Sequence, residues 1–170
     1  MLINKRSDPK ILSNETEMFS EGIAYINSSQ WLLAYQSFKH LTDNSKSISV
    51  EVLYNMALCH FFAKEYQKTI YVLNEALTFL SVPSIRSNLN HQIPDILLED
   101  EYQGKHYLKA LTSSAVDLNH PITKLRIRRL LVDTHYHLEN WKEIIRLSAL
   151  PDMEKCENVR LAFAKAKENI

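Results

Sequence analysis

VLYNMALCHFFAKEYQKTIYVLNEALTFL, residues 52–80, is the stretch whose reading decides the fold. Apolar side chains recur along it three and four apart, the period of an amphipathic helix, and a short polar break at Lys64-Glu65 interrupts the pattern near its middle. A break of that kind between two helical patterns predicts a helical hairpin. Met18 to Leu41 repeats the arrangement around Asn27-Ser28-Ser29-Gln30, and Leu125 to Leu150 repeats it around Glu139-Asn140. An aromatic residue follows each break: Trp31, Tyr66 and Trp141. Alternating β-branched runs bounded by turn dipeptides are missing, so no strand is predicted.

Trp31 and Tyr66 stand 35 residues apart, a spacing at which helical repeats are recognised. The first unit supplies Met18, Glu21-Gly22 and Tyr25, then Trp31, Ala34, Phe38 and Leu41. The second supplies Leu53, Met56-Ala57 and His60, then Tyr66, Thr69, Leu73 and Ala76. The third unit is weaker, with Leu131, Val132 and His135 before Trp141 and Ile144, and Ser148 and Pro151 in place of an aromatic and a small residue. This pattern resembles the tetratricopeptide repeat. Gly22 and Ala57 match the position where that repeat has a small residue because the two helices of a hairpin cross closely there. The resemblance implies an all-α fold, a short right-handed α–α superhelix of helical hairpins in a single domain spanning residues 1–170. The hairpins are expected at about 15–45, 50–80 and 122–150, with an insertion over 81–120.

Pro94 would break any helix spanning it, so Ser81 to Asp95 is read as irregular. Glu99 to Ser114 carries Tyr107 and Ala110 at the spacing of a repeat's second helix, with Gln103 at the small position, so either an insertion or an eroded repeat is expected there. After Pro151, Val159, Ala162, Phe163 and Ala166 share one stripe, and residues 152–170 are expected to form a helix capping the last hairpin.

Several chemistries are set aside. Gly22 and Gly104 are the only glycines and both lie in helical-looking segments, so no glycine-rich phosphate-binding loop can be assembled. Twenty basic residues balance twenty acidic ones, which disfavours nucleic acid as a partner. Lys124, Arg126, Arg128 and Arg129 read as a solvated face, and Glu99, Asp100 and Glu101 as a first-turn cluster favouring the positive end of a following helix. Cys59 and Cys156 are far apart and read as buried reduced thiols. His135 and His137 beside Asp133 have the wrong spacing for a helical metal site, and no serine sits in a nucleophile elbow. No catalytic residue, metal or cofactor is therefore assigned. No apolar run is long enough for a signal-peptide core or a membrane span, and the expectation is a cytoplasmic protein without membrane insertion.

The tetratricopeptide resemblance implies that the first helix of each hairpin lines a concave groove. Phe19, Ile23 and Ile26 would lie beside Tyr54, Asn55, Leu58, Phe61 and Phe62, with Arg126, Arg129 and Tyr136 at the far end. Such a surface suits a peptide with apolar anchors and an acidic stretch. Asn55 matches one asparagine of the carboxylate clamp that some members carry, whereas Phe19 and Ile23 stand where those members have lysine and asparagine. The leading expectation is a non-catalytic adaptor or scaffold that binds another protein or peptide through this groove. A structural subunit of a larger assembly and a secretion-type chaperone are alternatives, and an enzyme would need an unforeseen pocket around His91 and His106. Covering of the groove by the N-terminal segment or by a second subunit, including a homo-oligomer, stays open.

Overall fold

The computed structural model describes residues 9–45, 47–81 and 93–170. These residues are all-α, with no strand among them. In chain order the helices are α1 (Pro9–Asn27), α2 (Trp31–Asn44), α3 (Val50–Phe62), α4 (Tyr66–Leu80), α5 (Asp95–Gln103), α6 (Ser113–Leu118), α7 (His120–His137), α8 (Trp141–Ser148) and α9 (Glu157–Glu168). They pack in adjacent pairs, α1 on α2, α3 on α4 and α7 on α8, an arrangement compatible with a helical repeat.

One turn geometry closes all three hairpins. Ser29, Lys64 and Glu139 adopt the left-handed conformation with φ of 59°, 61° and 53°. At each, the left-handed residue donates its N–H to the carbonyl three residues back and the next residue donates to the carbonyl five back. The pairs are Ser29 to Ile26 with Gln30 to Tyr25, Lys64 to Phe61 with Glu65 to His60, and Glu139 to Tyr136 with Asn140 to His135. This is the Schellman closure, which satisfies carbonyls that the helix end would otherwise orphan. The next helix then begins on the aromatic residue that marked the repeat in the sequence.

Close crossing explains the small residues. A Cβ built on Gly22 would lie 2.6 Å from Cζ of Phe38, a ring that is fully buried and has nowhere to move. Ala57 occupies the matching place in the second hairpin and is likewise fully buried. Gly22→Val should therefore destabilise the chain by about 2 kcal/mol, the usual cost of overpacking a well-filled core. Urea denaturation followed by circular dichroism measures it, and an unchanged midpoint would mean that the crossing has slack.

Stacking continues across the insertion, because α2 packs on α3 and α4 packs directly on α7. The core runs through Phe38, Leu41, Leu53, Leu58, Leu73 and Ala76 into Ile127, Leu130, Leu131, Ile144 and Leu147. Helix α7 starts where Asn119 accepts the Ile122 N–H on its side chain at 3.0 Å and Pro121 fits the first turn. Val159, Ala162 and Ala166 of α9 are buried, and α9 packs on α7 and α8 after a 3-10 turn at Met153–Lys155.

The expectation of an eroded second helix over Glu99 to Ser114 is not met. Helix α5 ends at Gln103, a 3-10 turn covers His106–Leu108, and the backbone at Lys109 and Thr112 is extended. Gly104 belongs to the turn after α5 and not to a helix: a Cβ there would lie 2.6 Å from the Asp100 carbonyl oxygen. Most of the stretch read as irregular, Ser81 to Asp95, lies outside the described residues, as does His91. No described helix is long and apolar enough to cross a membrane.

Candidate functional site

The residues singled out from the sequence divide into three groups. Leu58 is fully buried in the core, and Phe19 and Ile23 are half-buried against it, Phe19 edge-on to Phe38 with centroids 5.8 Å apart. Phe61, Phe62 and Tyr136 gather at the hairpin turns. Tyr54, Asn55, Arg126 and Arg129 are covered by the chain's own residues 95–112.

At the turns, side chains of three hairpins form an unbroken line of ring contacts. Trp31 stacks on Phe62 at 4.1 Å, Phe62 meets Phe61 edge-on at 5.4 Å, and Phe61 meets Tyr66 at 5.9 Å. Tyr66 stacks on His137 at 4.8 Å, which contacts Tyr136 at 6.5 Å, which meets Trp141 at 5.8 Å. Two of the turns set a ring of one helix beside the first ring of the next, Phe61 beside Tyr66 and Tyr136 beside Trp141, while Trp31–Phe62 and Tyr66–His137 join one hairpin to its neighbour. Phe62 and Tyr136 are 38% and 40% exposed, and Leu32 and Leu33 beside Trp31 are exposed too. His137 is the member that helical periodicity alone did not nominate.

The covered face is polar. Asn55 donates from Nδ2 to the Leu111 carbonyl at 2.8 Å and accepts the Leu111 N–H on Oδ1 at 2.8 Å. The Tyr54 hydroxyl donates to the Tyr107 carbonyl. Arg126 grips the Glu101 carboxylate with two bonds, one of them 3.0 Å long. Arg129, 1% exposed, donates to the Glu101 carbonyl and, at 2.7 Å, to Asn158 of α9, with its guanidinium 4.2 Å from the Tyr107 ring centroid. Asp133 accepts from the Tyr107 hydroxyl at 2.6 Å and from Asn158 at 2.7 Å. Burial outweighs these bonds and raises the Asp133 carboxyl above its usual range, and burial likewise pushes the Tyr54 and Tyr107 hydroxyls upward.

The arginines at 126 and 129 therefore depart from the solvated face expected of the basic run. Glu101 and Asp100 depart from a first-turn cluster as well: they lie in the second half of α5, where Glu101 holds Arg126 and Asp100 pairs with His106 at 2.6 Å. Cys59 and Cys156 are buried and free, and burial pushes their thiols up to about 12 and about 11. Neither is an available thiolate near neutral pH. Asp133 and His137 turn to different partners, Tyr107 and Tyr66, and among the described residues no group of three His, Cys, Asp or Glu side chains is placed to hold a metal ion.

Burial pushes the His135 imidazole below the ordinary histidine value, and its Nδ1 has no hydrogen-bond partner. The unfolded chain thus takes up this proton at a higher pH than the folded chain does. Stability contributed by neutral His135 is present above about pH 6.5 and is lost as the pH falls below it. His135→Gln should flatten the stability curve between about pH 7 and 5, measured by urea denaturation at each pH. An unchanged slope would place the acid sensitivity elsewhere.

No family model, curated protein or solved structure matches the chain.

Proposed function

We propose that the chain is a non-catalytic protein-binding module built from tetratricopeptide-like hairpins in a short superhelix, and that its open recognition surface is the aromatic line at the hairpin turns. The observation that carries this reading is the continuity of that line. Seven rings from three hairpins touch in sequence, and its exposed members are the residue types that dominate protein interfaces. Rings held rigidly by their neighbours lose little side-chain entropy when a partner covers them, so their apolar area converts efficiently into affinity. The groove expected from the sequence is narrowed accordingly: Phe61, Phe62 and Tyr136 keep a recognition role, while Tyr54, Asn55, Arg126 and Arg129 hold the chain's own segment.

The test is capture of partners from source-cell lysate by the full-length chain beside a Phe62→Ser/Tyr136→Ser double variant. Both positions are surface rings, so the variant should keep its helical circular dichroism. Loss of two aromatic anchors should weaken the captured protein's binding at least about tenfold. Equal capture by a folded variant would reject this edge as the recognition surface.

A further inference from the structure

The face that α3 and α7 turn toward residues 95–112 has unusual chemistry for a sealed core. Tyr54 and Asn55 reach it from α3, and Arg126, Arg129 and Asp133 from α7. Buried guanidinium and carboxylate groups cost more to desolvate than leucines of similar volume, and well-packed apolar residues would often seal such a face at least as stably. On a face that opens, the same groups are solvated in the open state and rebonded in the closed one.

The covering segment is also held as a ligand is held. Asn55 reads both the N–H and the carbonyl of one residue, Leu111, in a stretch whose flanking Lys109 and Thr112 are extended. The Tyr107 and Leu111 side chains are 3% and 1% exposed, and Glu101 presents its carboxylate to the Arg126 fork. The hairpin stack has its own continuity beneath, because α4 packs directly on α7.

We propose that this face is a peptide-binding site and that residues 99–112 occupy it as a built-in ligand, a strap that an external segment of the same chemistry displaces. That segment carries a carboxylate for Arg126, an aromatic hydroxyl for Asp133 and an extended aliphatic residue whose backbone Asn55 reads. The site is distinct from the aromatic edge and stands or falls separately from it.

The probe is a fluorescein-labelled peptide with the sequence of residues 99–112, titrated by anisotropy against the full-length chain and a strap-loosened Glu101→Ala/Leu111→Ala variant. The loosened chain should bind the peptide at least tenfold more tightly than the native chain, and adding Asn55→Ala should remove that gain. A scrambled peptide binding as well, or no gain in a loosened chain that keeps its helical circular dichroism, would overturn the proposal. Hydrogen exchange on the native chain decides the matter even if the loosened chain fails to fold. The Leu108 and Leu111 amides should exchange at least tenfold faster than those of Leu58 and Leu73, whereas equal protection would make the strap part of the hairpin core and overturn the proposal.

Discussion

Arg129→Ala should be among the most damaging single changes in this protein, lowering stability by about 3–5 kcal/mol, the usual cost of removing one partner from a buried charged network. The guanidinium ties three parts of the fold together. It rises from α7, bonds the Glu101 carbonyl in α5 and the Asn158 side chain in α9, and lies over the Tyr107 ring. Its removal leaves a carbonyl and an amide oxygen without donors and takes a favourable positive charge away from Asp133, whose carboxyl is already penalised by burial. Arg129→Lys should recover little, because an ammonium cannot donate as a planar fork in two directions while lying flat on a ring. Arg129→Met separates the effects: it restores most of the volume, so the stability still missing reports the hydrogen bonds. Urea denaturation with an unchanged slope measures all three variants. A cost below about 1 kcal/mol for alanine would mean that water enters and satisfies the stranded groups.

The three hairpins were legible in the sequence because every determinant is local. Helical period, a polar break and a following aromatic all fall within about thirty residues, and Gly22 and Ala57 mark the close crossings. The turn geometry itself was hidden, since Ser29, Lys64 and Glu139 occupy left-handed positions that glycine usually announces. The strap was illegible for a different reason. Tyr54 meets Tyr107 across 53 residues of chain, and Asn55 meets Leu111 across 56, through bonds to the backbone that leave no periodic or compositional trace. Arg126 and Arg129 misled because a run of basic residues is ordinarily solvated, and the unforeseen approach of Glu101, with Tyr107 and Asn158 at Arg129, holds two of them inward. Pattern therefore located the helix pairs, while the contacts of the polar face depended on tertiary approach.

Asn55→Leu is the second large effect expected, and its cost should appear first in the strap. Leucine keeps the branched outline of asparagine, so no cavity forms, and the loss combines the two hydrogen bonds with some crowding from methyls bulkier than the amide. Leu111 is 1% exposed, and both its N–H and its carbonyl lose their partner at once. Each orphaned backbone group costs about 1–3 kcal/mol, so the free energy that keeps the segment closed should fall by about 3 kcal/mol. Exchange at the Leu111 amide measures that fall directly, while the urea midpoint of the hairpins moves by no more than the same amount. Asn55→Asp sharpens the argument through its pH dependence. An aspartate keeps the acceptor for the Leu111 N–H but sets a carboxylate oxygen against the Leu111 carbonyl, and its buried charge is itself penalised. Protonation turns that oxygen into a donor and removes the charge, so the variant should be weakest near neutral pH and recover as the solution is acidified. Recovery of this kind requires the carboxyl to stay buried under the closed strap and not in water. A variant equally weak at every pH would mean that the strap has already left the face, and that Asn55 is the residue whose bonds decide whether it stays.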